Sequence, residues 1–369
     1  MSHRIAMAAM ATLLWTIFPA AAQNGGVPKK ASSIKRMPDG RPDLQGTYDL
    51  ATLTPLERPG SAPAAYTKEQ ADKIEGLLAK QRAHGDEALG ADRAAPPKGG
   101  QGPTGTLPLF WELAGGKVGG YNTGWLDPGS KINVVNGEYR SSIVVDPPNG
   151  RVPPMSQAAM DRAAAERARP TSDQTENAND SDLERAPGAY DDPERRPLGE
   201  RCLLGFGSTS GPPALPDYFY NNLHQIVQTP DSIMLLTEMV HDARIIRMNA
   251  QHLPKNIRLW LGDSVGHWEG DTLVVDTTNF TDKTRFRGAT QDMHVIERFS
   301  RVDDKTLLYR FTIDDPQTWT KPWTGEMSWP AANGRIFEYA CHEGNYALTD
   351  ILKGARAREK EQAAAKATK

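Results

Sequence analysis

Through the second half of the chain, short runs of apolar residues alternate with polar ones, and Gly, Pro or paired Asp break them at intervals. That rhythm is the signature of antiparallel strands with tight connections. It is clearest from Leu259 to Phe280. There Leu259, Trp260 and Leu261 lead in, Gly262 to Gly270 read as a turn region, and Leu273, Val274 and Val275 lead out. Side chains alternate across a strand, so Leu273, Val275 and Thr277 fall on one face and Thr272, Val274 and Asp276 on the other. The same pattern predicts strands at Leu223–Gln228, Ile233–Val240, Ala243–Met248, Leu259–Leu261, Leu273–Thr277, His294–Arg301, Thr306–Ile313, Thr324–Trp329 and Ile336–His342. Val302 to Lys305 is a turn between two of them.

The first half is sparser. Asp43 to Leu53 reads as an opening strand. Thr67 begins a helix with a capping box, Thr67 as N-cap and Gln70 at the third helical position, and Ile74, Leu77 and Leu78 give it an apolar stripe. Asn136-Gly137 between apolar runs signals a hairpin. Ser156 caps an Ala-rich helix reaching Arg169, and a last helix follows Asn345, with residues 357–369 as a frayed tail. Residues 86–118 and 170–197 read as long loops, poor in apolar residues. No repeat of fixed period is present. These elements predict one mainly β domain over residues 43–356, an antiparallel β-barrel or sandwich with a few peripheral helices.

At the N-terminus, Arg4, the apolar stretch Ile5–Phe18 and the small residues Pro19–Ala22 read as a secretory signal (residues 1–22), followed by a flexible leader to residue 42. The apolar stretch is shorter than the roughly 20 residues needed to span a bilayer. Export to the periplasm or outside the cell, with no transmembrane segment after cleavage, is the expectation. A net charge of −3 with no basic stripe argues against nucleic acid as a partner. Cys202 and Cys341 are the two cysteines, and in an oxidising compartment they are most simply one disulfide, with two buried thiols as the alternative.

Several blocks carry a family resemblance. Gly40 to Gly46 (GRPDLQG), Thr54 to Pro59, Val145 to Gly150, Arg196 to Cys202, the run His267–Asp276 and finally Glu338–Tyr346 resemble a widespread group of secreted bacterial proteins, across nearly all of the chain after the signal. The resemblance implies an exported, mostly β protein and brings no catalytic residues with it. Gly46-Thr47-Tyr48 also resembles the opening strand of lipocalin-like barrels, where an aromatic plugs the barrel end.

Sequence motifs for metalloprotease, nucleophilic serine, Walker loop and dithiol chemistry are absent. Gly205 to Gly211 misses the dinucleotide-binding spacing, and no cofactor is indicated. The chemistry-bearing residues fall in three places: Glu238, His241 and Arg244; His294 and Arg298; and Glu338, His342 and Glu343. On an extended Ile336–His342, Glu338 and His342 flank Ala340 on one face, a pairing suited to general acid–base work. Arg244 or Arg298 would then hold a carboxylate or an oxyanion. A structural network of Arg–Glu pairs is the competing reading. His241, His294 and His342 are also candidate metal ligands, although their spacing does not demand a metal. Trp268 and Trp323 join the candidate ligand-binding set, and Trp319, Trp323 and Trp329 form an aromatic row of the kind that packs on sugars or fills a core.

The leading expectation is an exported protein that binds a small, partly apolar ligand in a β-barrel or sandwich pocket lined by His, Glu and Arg. The alternatives are a lyase, isomerase or hydrolase using a His/Glu pair, and a carbohydrate-binding protein.

Overall fold

A computed structural model describes residues 34–85, 127–168, 188, 190–196, 198–205, 211–216, 220–283 and 286–367. The expected signal, most of the leader, the whole loop expected at residues 86–118 and most of that at 170–197 lie outside these residues. Thirteen strands are described: β1 (Gly46–Asp49), β2 (Ala65–Tyr66), β3 (Val134–Val135), β4 (Glu138–Arg140), β5 (Val144–Asp146), β6 (Leu223–Gln228), β7 (Ser232–Thr237), β8 (Ala243–Met248), β9 (Asp263–Glu269), β10 (Thr272–Thr278), β11 (His294–Asp303), β12 (Thr306–Asp314) and β13 (Trp323–Pro330). The α-helices among the described residues are α1 (Lys68–Gly85), α2 (Gln157–Ala168) and α3 (Ala347–Ala367).

Ten strands make one sheet in the order β1-β6-β7-β8-β9-β10-β11-β12-β13-β5, and β2-β4-β3 make a small second sheet. The fold is therefore mainly β, a curled sheet with antiparallel pairing almost throughout. The exception is β8 beside β9, which run parallel, Ile246 opposite Ser264. Parallel neighbours need a crossover rather than a hairpin, and residues 249–262 supply it. The curl brings its first strand round to the far side: Tyr48 bridges Ala331, and Ala332 N–H donates to the Thr47 carbonyl.

Alternation decides what fills the curl. Leu273, Val275 and Thr277 of β10, Val295, Glu297 and Phe299 of β11, and Leu307, Tyr309, Phe311 and Ile313 of β12 are all buried, whereas on the opposite face Thr272, Asp276, His294, Ile296 and Arg298 are half-buried, though Val274 between them is buried. The interior is dense with aromatic rings. Trp329 lies 4.6 Å from Tyr309 and 5.4 Å from Phe299, centroid to centroid, and Trp323 lies 5.7 Å from Phe311. Close packing of this kind tolerates no extra atoms. A side chain at Gly325 would run into the ring of Phe311, its cross-strand partner.

Local signals hold at the ends of elements. Thr67 N–H donates to Gln70 Oε1 (2.9 Å) and Gln70 N–H to Thr67 Oγ1 (3.2 Å), the reciprocal capping box. Ser156 Oγ accepts from Ala159 N–H. Asn136 and Gly137 both have positive φ, 52° and 83°, as the tight β3–β4 hairpin requires. Cys202 and Cys341 form a disulfide across 139 positions.

Four expectations are corrected. The strand expected at Leu259–Leu261 reduces to a single bridge from Leu259 to Phe280 followed by a turn. The turn region expected at Gly262–Gly270 is mostly strand β9: Gly266 is paired within the ladder, because Ile246 and Met248 pack over it where a side chain would stand. The expected strand Ile336–His342 does not form. Residues 331–332 pair with β1 and β5 already lines β13, so the chain beyond leaves the sheet. The tail from residue 357 continues as helix to Ala367. No described helix is long and apolar enough to cross a membrane.

Candidate functional site

The ends of β9, β10 and β11 carry polar side chains on both faces of the sheet. On the outer face, Asp276 leaves β10 half-buried between two imidazoles. His294 Nε2 lies 2.9 Å from Asp276 Oδ1, and His252 Nε2 lies 3.1 Å from the same oxygen. His252 comes from the β8–β9 crossover, and its Nδ1 lies 3.0 Å from Asp263 Oδ2. Asp263 is buried and also accepts from Leu253 N–H and Arg247. Asn279 fastens the same crossover by donating to the Leu253 carbonyl. The result is a continuous line, Asp263–His252–Asp276–His294, ending at a side chain that is 42 % exposed.

Electrostatics follow the contacts. The Asp276 hydrogen bond raises the His294 pKa above the usual histidine value, against the opposing effect of burial. Burial would push Asp276 up, but His294 and His252 outweigh it and hold the carboxyl below its ordinary value. Asp263 is likewise held low, its burial outweighed by the Leu253 amide, Arg247 and His252.

Directly beneath, on the inner face, Arg244 forms a two-pronged pair with Glu297, with Nη1 on Oε2 at 2.5 Å and Nη2 on Oε1 at 2.9 Å. Tyr309 donates to Glu297 Oε1 (2.8 Å) and accepts from Ala214 N–H (2.9 Å). Arg244 and Glu297 are 2 % and 0 % exposed. Burial alone would lower the Arg244 pKa, yet Glu297 raises it, so the guanidinium stays charged. His224, also buried, goes the other way: burial lowers its pKa to about 4, leaving it neutral at pH 7.

The residues expected from sequence are dispersed. Arg244 is in the inner network and His294 in the outer line. Glu238 is buried and accepts from Phe337 N–H, while His241 is exposed. Val240 and His241 both adopt positive φ, 57° and 48°, which breaks the alternation between them and separates Glu238 from Arg244. Glu338, His342 and Glu343 are exposed, on a segment held by the Cys202–Cys341 bond rather than by a strand. The inward-facing acid and imidazole expected there are not formed. Arg298 pairs with Glu269 at 2.7 Å on the outer face, farther along β11. Trp268 is half-buried with Arg41 over its ring, and Trp319, Trp323 and Trp329 are core residues. His241, His294 and His342 do not meet, and among the described residues no group of three His, Cys, Asp or Glu is placed to hold a metal ion.

Sequence reasoning missed His252, Asp263 and Asp276 outside, and His224 and Glu297 inside. Alternation set Asp276 on the face opposite Leu273, Val275 and Thr277, which was the available signal; His294 was expected to line the pocket and instead stands on the outer face. His252 gave none, because the crossover delivers it. No protein-family model, curated protein or solved structure matches the chain.

Proposed function

We propose that the protein is an exported acid–base catalyst that acts on a small, partly apolar molecule, with His294 as the proton-transfer group. One arrangement supports this reading: Asp276 Oδ1 within hydrogen-bond reach of Nε2 on both His294 and His252. A carboxylate only accepts, so His294 Nε2–H donates, and the neutral ring presents its lone pair at Nδ1. Among the described residues Nδ1 has no hydrogen-bond partner. Abstraction of a proton there, from water or from a carbon beside a carbonyl, gives an imidazolium whose charge Asp276 offsets, and returning the proton completes a hydrolase, lyase or isomerase cycle. His252 and Asp263 act as positioning residues for Asp276. Ile257, Leu259 and Trp260 are exposed on the crossover that carries His252 and offer apolar contact to the substrate. The signal-like N-terminus and the disulfide support a site of action in the periplasm or beyond.

The test is hydrolysis of p-nitrophenyl acetate and deuterium exchange into cyclohexanone by the full chain, compared with imidazole at equal concentration. Acceleration of either probe, cut by ~100-fold in His294→Ala, more weakly in Asp276→Asn and not in His267→Ala, is the expected result. Equal rates for wild type and His294→Ala would remove the proposal.

A further inference from the structure

The outer face of the sheet changes character from one part to another. On β10–β12 its outward positions are mostly polar, among them Thr272, Asp276, Arg298 and Arg310. On β6–β8 an apolar row replaces them. Val227 is opposite Met234, and Met234 is opposite Ile245, in adjoining ladders. Their chain neighbours Ile226, Ile233, Leu235 and Ile246 are buried inside, so alternation turns these three outward. Leu236 and Ala243, paired with each other, stand beside them. Val227 is 37 % exposed and Ile245 52 %. A solvated sheet face ordinarily carries polar residues at such positions, and a contiguous apolar row left open marks a place of contact.

The row leads to the acid–base line. Ile246 faces Ser264 in the parallel β8–β9 ladder, so Ile245 stands level with Asp263, where the line begins. Two strand spacings, about 10 Å, separate β8 from β10 and its Asp276. The β8–β9 crossover spans that gap: His252 meets both Asp263 and Asp276, and Leu259 pairs with Phe280 just beyond β10. Its exposed Ile257, Leu259 and Trp260 add apolar surface along the way. Size and charge then select the occupant. A stable protein interface takes about 20–30 residues from each side, and these few side chains fall far short of that. They match one hydrocarbon chain laid across the strands. No charged residue stands within the row, and Arg247 at its border is already paired with Asp263, so the chain is uncharged there.

We infer that Val227, Met234 and Ile245 form a track for the hydrocarbon tail of the substrate, which makes the substrate class a long-chain ester or ketone with its carbonyl at His294. This rests on the acid–base reading of His294 and names what that site takes. The tail runs from the carbonyl past the crossover and along β8, β7 and β6. In ester hydrolysis His294 accepts a proton from water as the water oxygen bonds to the acyl carbon. The bond to the leaving alkoxide then breaks, and the proton passes to the alcohol.

A series of p-nitrophenyl esters, hydrolysed by the full chain, tests the track. Acetate and butyrate are too short to reach Ile245 and set the baseline. From octanoate to dodecanoate, kcat/KM should rise about twofold per CH2 on a half-open track, below the roughly fourfold of complete burial. Ile245→Asn should cut the dodecanoate-to-acetate ratio by ~10-fold, and Val227→Asn, at the far end, should cut it less. Both positions are exposed, so both variants should fold. A flat series with His294-dependent acetate hydrolysis overturns the track and leaves the acid–base reading standing. Absence of His294-dependent hydrolysis for every ester removes that reading instead. Calorimetric titration with 1-decanol then judges the track without turnover: saturable binding lost in Ile245→Asn supports it, and no binding overturns it. A dimer in sedimentation that Ile245→Asn separates would give the row to a second copy of the chain and overturn the inference.

Discussion

The two faces of β9–β11 hold polar networks a strand's thickness apart, and they are built to different rules. Inside, Arg244 and Glu297 are sealed from water, doubly hydrogen-bonded and clamped by Tyr309. Outside, His252, Asp276 and His294 are 29 %, 33 % and 42 % exposed and share one carboxylate oxygen between two rings. A sealed ion pair cannot be reached by a substrate, and loss of one partner leaves a stranded charge. A half-exposed pair contributes little to stability but can exchange protons with what arrives.

The largest predicted effect follows from the sealed side. Glu297→Ala leaves Arg244 charged and unpaired, with an expected loss of about 3–5 kcal/mol in urea unfolding. A loss below about 1 kcal/mol would mean that water reaches Arg244 and the contrast between the faces is false.

The next is a pH effect of opposite sign on the two faces. For His224 the folded pKa is depressed to about 4, against an ordinary histidine value of 6.5, so the unfolded chain binds more protons between those pH values. Its contribution is intact above pH 6.5 and is lost as pH falls towards 4, amounting to about 3 kcal/mol. For His294 the folded pKa is raised, so its contribution is present below pH 6.5 and disappears as pH rises through the folded value. Asp263 and Asp276, with depressed values, weaken the fold only at still lower pH. Unfolding free energy followed from pH 8 to 4 should therefore fall below pH 6.5, and His224→Phe should flatten that fall. An unchanged slope in the variant would place the effect elsewhere.

Smaller changes belong to the outer face. Asp276→Asn should cost no more than about 1 kcal/mol while returning the His294 titration, read by NMR, towards the ordinary histidine value. Persistence of the raised titration would give its cause to another group. Arg298→Ala, which removes an exposed pair with Glu269, should shift stability by less than ~0.5 kcal/mol.

What could be read from sequence was local. Capping at Thr67 and Ser156, the Asn136-Gly137 hairpin, the inward face of β10 and most of the later strands depend on residues a few positions apart, and each is legible in that window. The errors arise where neighbours distant in sequence decide. Gly266 lies in a strand because β8 packs over it, and nothing near residue 266 signals that. Glu338 and His342 alternate correctly for a strand, but the sheet has no place left for one. The outer line needs the β8–β9 crossover to bring His252 to Asp263 and Asp276. The inner network needs β8, β11 and β12 together. The site was hidden for the same reason that parts of the fold were: its residues meet only once the curl exists.

That curl has a kinetic consequence. Tyr48 accepts from Arg301 Nη2 across 253 positions, and Arg36 pairs with Asp271 across 235. Loop closure over such spans must precede the contacts that reward it, which places folding of the chain among slow topologies. Until β6 and the segment after β13 arrive, β1 is a strand without neighbours, with its backbone groups open to any other extended chain.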